Sequence, residues 1–76
     1  MNYKEQIRNN NLREIRKSCG LRQTDVAEQL GLKSADRISR WEKGQSVPSI
    51  INLFKLSMLY KCSAEEFYKN LIANMR

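Results

Sequence analysis

Apolar residues recur at helical spacing along most of this 76-residue chain, and the stretch 23–44 shows the pattern most clearly. It contains two short amphipathic segments, and Gly31 breaks the chain between them. The inward-facing residues are Val26, Ala27 and Leu30 in the first segment and Ile38 and Trp41 in the second. The pattern therefore predicts two helices joined by a turn.

The second of these helices carries a polar face opposite its apolar one. Residues at i, i+3, i+4 and i+7 lie on one side of a helix. Here those positions hold Asp36, Ser39, Arg40 and Lys43. Such a face could present hydrogen-bonding groups to a nucleic-acid groove, but an ordinary solvated face has the same pattern. Periodicity alone fits both interpretations equally.

Three further helices are predicted around this pair, which gives an all-α fold with five helices. The first follows the N-cap candidates Asn9–Asn11 and stops at Gly20. The fourth runs from Pro48, as its first residue, to about Tyr60, and the fifth opens with a capping box at Ser63–Glu66. The predicted organisation is a flexible arm (1–8), a single domain (9–70) and an extension of the last helix (71–76).

Fourteen basic residues against eight acidic ones give a net charge of +6. The basic residues are concentrated between Arg8 and Lys43, which is the half of the chain that contains the paired helices. This balance favours a polyanionic partner, although a basic surface also fits an anionic membrane or no partner at all.

Several classes of function are disfavoured by the composition. The chain has no histidine, and its two cysteines are far apart, so we expect no catalytic triad, no metal site, no disulfide and no cofactor. No apolar run reaches the ~20 residues of a membrane span, and the first ten residues lack the apolar core of a signal peptide. We therefore expect a soluble, cytoplasmic protein that is not an enzyme.

A set of residues in a characteristic order gives a more specific indication. They are Leu12, Arg16, Gly20, Leu21, Gln23, Ala27, Leu30, Gly31, Ile38, Trp41, Glu42, Gly44 and Pro48. With these in place, the chain resembles the phage-repressor and Cro-type helix-turn-helix family of DNA-binding proteins over about residues 9–68. The resemblance implies a lambda-repressor-like five-helix domain, double-stranded DNA as the partner, and a role in regulating transcription. It also implies a structural ion pair between Arg16 and Glu42.

The turn of this motif is one residue longer than its commonest form, and Ser34 is the best N-cap for the following helix. If Ile38 anchors the alignment, the resemblance places base contacts on Ala35, Asp36, Ser39 and Arg40. Arg40 suits guanine, Asp36 suits the amine of cytosine, and Ala35 suits a thymine methyl. An acid in a first helical turn is also favourable to the helix dipole, so Asp36 has a purely structural alternative.

Phosphate contacts are predicted around both ends of the paired helices. The candidates are Arg22, Gln23, Lys33, Ser34, Arg37, Lys43 and Gln45. Arg22 stands where the family usually has a capping Ser or Thr, so a side-chain cap is lost and a cation could instead lie beside the DNA backbone. Arg37 is alternatively a solvated side chain.

Helix four has two apolar faces, so it is expected to pack against two different surfaces. Ile50, Leu53, Leu56 and Tyr60 form the predicted core face, and Lys61 takes the place of a helix-ending glycine. The predicted dimer interface consists of Ile51, Met58, Leu71, Ile72 and Met75. The alternative is that the last turns fold back over the core.

Together these inferences predict a homodimeric repressor on a palindromic operator whose half-sites are ~34 Å apart. No pocket for a small-molecule ligand is evident from the sequence. The main alternative is a protein-binding module, such as an antitoxin-like or adaptor protein, that uses the same fold to hold another protein.

Overall fold

The computed structural model describes residues 9–73, and all regular secondary structure in that range is helical. The helices are α1 (Leu12–Ser18), α2 (Gln23–Leu30), α3 (Asp36–Lys43), α4 (Ile50–Tyr60), α5 (Ala64–Phe67) and α6 (Lys69–Ala73). The expected all-α fold is confirmed. Predictions for the arm 1–8 and for Met75 lie outside the described residues. Among the helices of this range, none has the length and apolar content needed to cross a bilayer.

One apolar core joins the first five helices. Its buried residues are Leu12, Val26, Ala27, Leu30, Ile38, Trp41, Leu56, Tyr60 and Phe67. Tyr60 and Phe67 meet edge to face, with ring centroids 5.9 Å apart and planes at 85°, an arrangement that aromatic quadrupoles favour. The inward faces that periodicity predicts for α2 and α3 are therefore the faces that the structure buries.

Asparagines tie the start of α1 to two other helices. The Asn10 side-chain oxygen Oδ1 accepts from the Leu12 amide at 3.0 Å, and the Asn10 Nδ2 donates to the Trp41 carbonyl at 3.1 Å. The Asn11 Nδ2 donates to the Glu66 carbonyl at 3.0 Å, and the Asn11 amide donates to the Phe67 carbonyl at 2.9 Å. The segment predicted to cap α1 thus also satisfies carbonyl groups at the ends of α3 and α5.

The turn between α2 and α3 differs by one residue from its prediction. Gly31 ends α2 in the left-handed conformation, at φ 76°. The Ser34 hydroxyl accepts from the Asp36 amide at 3.3 Å, as expected of a capping residue. However, Ala35 occupies the cap position and α3 begins at Asp36. The extra residue therefore lengthens the turn and not the helix.

The start of α4 corrects two predictions. Ser49 is the cap, because its hydroxyl accepts from the Asn52 amide at 3.2 Å, so Pro48 precedes the helix instead of opening it. Ile50 was expected in the core but is 68% exposed. Six residues separate it from buried Leu56, which is about 120° around a helix of 3.6 residues per turn.

The predicted fifth helix is broken at Tyr68, which has φ −128° and ψ 32°. Its predicted capping box is also wrong, because the Glu66 amide donates to the Ser63 carbonyl and no side-chain cap forms. The break has a physical cause in α1. Asn11 donates to the carbonyls of Glu66 and Phe67, and a continuous helix would use those carbonyls for its own amides.

Lys61 ends α4 in the left-handed region, at φ 56° and ψ 42°. Within residues 9–73 it is the one non-glycine residue with positive φ. Its neighbours hold it there, since the Cys62 amide donates to the Ser57 carbonyl at 3.3 Å and the Ser57 hydroxyl donates to the Cys62 carbonyl at 2.5 Å. This is the strained exit that the missing glycine predicts.

Replacing Lys61 with glycine should raise the free energy of unfolding by about 0.5 to 1 kcal/mol. The gain reflects relief of about 1 kcal/mol or more of left-handed strain, reduced by the entropy that glycine adds to the unfolded chain. Urea denaturation followed by circular dichroism measures it. Lys61→Ala is the control, because it removes the same charge but keeps the Cβ atom. Equal gains in both variants would show that charge, and not backbone strain, is the cause.

Candidate functional site

A buried ion pair lies beneath the outer face of α3. The Arg16 Nε lies 2.6 Å from Glu42 Oε2 and the Arg16 Nη2 lies 3.2 Å from Oε1, while Nη1 donates to the Leu21 carbonyl at 2.8 Å. The two side chains are only 9% and 4% exposed. The hydrogen bond to Glu42 raises the pKa of Arg16 above its ordinary value. The pair predicted from the sequence is therefore present.

Gln23 extends this pair to a third helix. Its Nε2 donates to Glu42 Oε1 at 3.0 Å, so one carboxylate accepts hydrogen bonds from α1 and from the first residue of α2. Burial, with a smaller effect of the Glu42 charge, raises the pKa of Tyr60 beside this network. Hydrogen bonds are stronger in such poorly hydrated surroundings, so the network fixes α3 relative to α1 and α2.

The four predicted base-contact residues differ in exposure. Asp36 and Arg40 are exposed, whereas Ser39 and Ala35 are half-buried. Ala35 packs partly against the core, which leaves less of its methyl group for another contact. Ile38 and Trp41, on the opposite side of α3, are 1% and 4% exposed. The helix thus has one side in the core and one side free for a partner.

An open cleft of about 630 Å³ lies between α1, α2 and α3. Its lining residues are Arg13, Arg16, Arg22, Gln23, Thr24, Ala35, Ser39, Glu42 and Lys43. The structure therefore brings together several residues that sequence reasoning had placed in separate base-contact and phosphate-contact groups. Arg13 and Thr24 were missed. For Arg13 a signal existed, because it lies three residues before Arg16 and so near the same face of α1.

A second, smaller cleft of about 400 Å³ lies at the turn before α3. It is lined by Gly31, Leu32, Lys33, Ser34 and Arg37, which groups three of the predicted phosphate contacts. Gln45 lines neither cleft. It is exposed in the loop after α3, where its amide donates to the Arg40 carbonyl at 2.9 Å.

The helix-turn-helix family model matches residues 12–67, from the first residue of α1 to the last residue of α5. The chain belongs to the helix-turn-helix family. The match confirms the family expected from the sequence. It identifies the chain as a DNA-binding helix-turn-helix regulator. No curated protein matches the chain.

One departure from the helix-turn-helix pattern has a structural explanation. The Asp25 carboxylate accepts from the Arg22 backbone amide at 2.8 Å and from Arg22 Nε and Nη2 at 3.2 and 3.1 Å. These bonds lower the pKa of Asp25. Arginine has no acceptor for the helix amides, so the side-chain cap is absent, and Asp25 instead satisfies the backbone amide of Arg22 as the third residue of a capping box does. Arg22 is 81% exposed, yet its guanidinium already has a carboxylate partner.

Glu42→Gln should lower the free energy of unfolding by about 3 kcal/mol, because it leaves the buried Arg16 guanidinium without a counter-charge. Urea denaturation measures the loss. Asp25→Asn is the matched control, since it makes the same chemical change in an ion pair at the surface and should have a much smaller effect. Equal losses in the two variants would contradict a special role for the buried pair.

Proposed function

We propose that this helix-turn-helix regulator is a dimeric, sequence-specific repressor that reads a palindromic operator with α3. The observation that carries the proposal is the two-sided character of α3. Glu42 ties it to α1 and α2, Ile38 and Trp41 anchor its inner side, and Arg40 projects from its outer side. A side chain on so firmly held a helix can meet a base edge in a defined geometry.

Base readout is assigned to Ala35, Asp36, Ser39 and Arg40. Arg40 carries most of it, because an exposed guanidinium can donate two hydrogen bonds to guanine O6 and N7. Asp36 accepts from cytosine N4, and the Ser39 hydroxyl donates or accepts. Ala35, packed partly against the core, offers only a small apolar contact to a thymine methyl.

Phosphate contacts hold the recognition helix in register from both sides. The cleft between α1, α2 and α3 offers Arg22, Gln23 and Lys43, and the turn offers Lys33, Ser34 and Arg37. Gln45 adds a polar group beyond the end of α3. Such contacts position a protein on the duplex without reading sequence. The Arg22 guanidinium is already paired with Asp25, so a phosphate that binds Arg22 must share this guanidinium with the carboxylate.

An exposed apolar stripe on α4 supports the dimer. Ile50, Ile51, Phe54 and Met58 are 68%, 61%, 59% and 79% exposed, and Ile72 of α6 is 38% exposed. Contiguous apolar surface of this kind marks an interface. We assign it to a second copy of the chain, together with Leu71, which is half-buried, and Met75. The predicted interface thereby widens to include Ile50 and Phe54.

Two-fold symmetry connects the dimer to its operator. Two copies of α3 that meet the same face of a duplex need half-sites about one helical turn, ~34 Å, apart. Repression is the simplest outcome, because it needs only occupancy of a promoter, whereas activation also needs a surface that recruits polymerase.

Selection from a random duplex pool at physiological salt should enrich a palindrome. Arg40→Ala should relax one base pair per half-site, with a cost of about 1 to 3 kcal/mol at that position. Arg37→Ala is the control, because losing a phosphate contact should weaken binding to all sequences alike. A folded protein that enriches no sequence would contradict the proposal and favour the protein-binding module.

Met58→Lys should weaken self-association at least about tenfold, because it buries one lysine from each subunit in the apolar stripe. Met58 is 79% exposed, so the monomer should keep its fold. Sedimentation equilibrium over a concentration series measures the effect, with Ser18→Lys on exposed α1 surface as the control. Unchanged association in Met58→Lys would place the interface elsewhere.

A further inference from the structure

The cleft between α1, α2 and α3 keeps a positive charge whose source the sequence does not reveal. Its four cationic side chains are Arg13, Arg16, Arg22 and Lys43. Glu42 neutralises Arg16, and Asp25 neutralises Arg22. Within residues 9–73, no carboxylate forms an ion pair with Arg13 or Lys43. The uncompensated charge of the cleft therefore comes from these two residues.

Arg13 and Lys43 approach the cleft from different helices. Arg13 projects from α1, and Lys43 from the last turn of α3; both are exposed. The lining of the cleft also includes neutral hydrogen-bonding groups on Gln23, Thr24 and Ser39. Cations from two helices, together with neutral polar groups in one cleft, form a site for an anion, and a guanidinium matches a phosphate with two parallel hydrogen bonds.

The location of the cleft identifies the anion. Ser39 and Lys43 line the cleft, and both belong to the polar outer face of α3 that also carries Arg40. A duplex that places base edges against this face brings its sugar-phosphate backbone over the mouth of the cleft. A phosphodiester group of DNA is thus the anion that suits both the charge and the position.

We propose that Arg13 binds a DNA phosphate in this cleft, so that α1 contacts the backbone as well as α2 and α3. The inference rests on the proposed function, because it requires α3 to read an operator. The sequence suggests that the Arg22 cation contacts the DNA backbone, and the inference assigns such a contact to Arg13. Arg22 has its own carboxylate, whereas Arg13 can bind phosphate without first breaking an ion pair.

The salt dependence of DNA binding tests the proposal. Fluorescence anisotropy measures affinity from about 50 to about 200 mM salt, with the selected palindromic duplex and with a mixed-sequence duplex of the same length. Each phosphate contact contributes a slope of about 0.9 in log K against log salt. Arg13→Gln should therefore lower the slope by about 1.8 for a dimer that loses one contact per subunit.

Two variants separate a phosphate contact from other causes. Lys17→Gln removes one positive charge from the exposed surface of α1 outside the cleft, so it should change the slope much less. Arg13→Lys keeps the charge and should keep most of the slope. Thermal unfolding checks the fold, and a substitution at exposed Arg13 should leave the midpoint of unfolding close to that of the parent.

The outcomes distinguish the two proposals. In the first outcome, the parent binds the palindrome, but Arg13→Gln and Lys17→Gln lower the slope of log K against log salt by the same amount. The Arg13 contact is then overturned and the proposed function stands. If the parent binds neither duplex, both are overturned. If Arg13→Gln loses the larger slope on both duplexes and keeps the same preferred sequence, Arg13 contacts phosphate and not bases.

Discussion

The position of α3 depends on one buried carboxylate. Glu42 accepts hydrogen bonds from Arg16 on α1 and from Gln23 on α2, and its side chain is only 4% exposed. A desolvated carboxylate is costly unless its donors are well placed. Any arrangement of the three helices that separates the carboxylate from these donors therefore has a higher free energy. The orientation of the outer face of α3 is thus set by the buried Glu42 network beneath that face.

Internal pairing also decides which cations remain for a partner. The net charge of +6 overstates the positive charge that a partner can reach, because Arg16 and Arg22 have carboxylate partners within the fold. The available charge is consequently concentrated on fewer side chains. Arg13 and Lys43 are two of them, and both line the cleft between α1, α2 and α3. Charge counted from composition is an upper limit on what a polyanion can contact.

The sequence predicts the inner faces well, because apolar periodicity is a local rule that identifies the core sides of α2 and α3. The buried pair has a different basis. A charged residue on an apolar face requires a partner, but it is the family resemblance that indicates Glu42 as the partner of Arg16. Of the wrong predictions, one depends on a distant group and the others on adjacent residues. The break at Tyr68 follows from Asn11, which takes the Phe67 carbonyl from far along the chain. The Pro48 error is local, because Ser49 caps α4. Ile50 is exposed because it lies about 120° from Leu56 around the helix.

The longer turn should affect the two ends of α3 unequally. The extra residue lies before Asp36, where Ala35 occupies the cap position without a capping side chain. The other end is held by Glu42 in its buried network. Arg40 lies two residues before Glu42 in the same regular helix, with only Trp41 between them. Its geometry toward a groove is therefore determined by packing, whereas that of Asp36 follows the conformation of the turn.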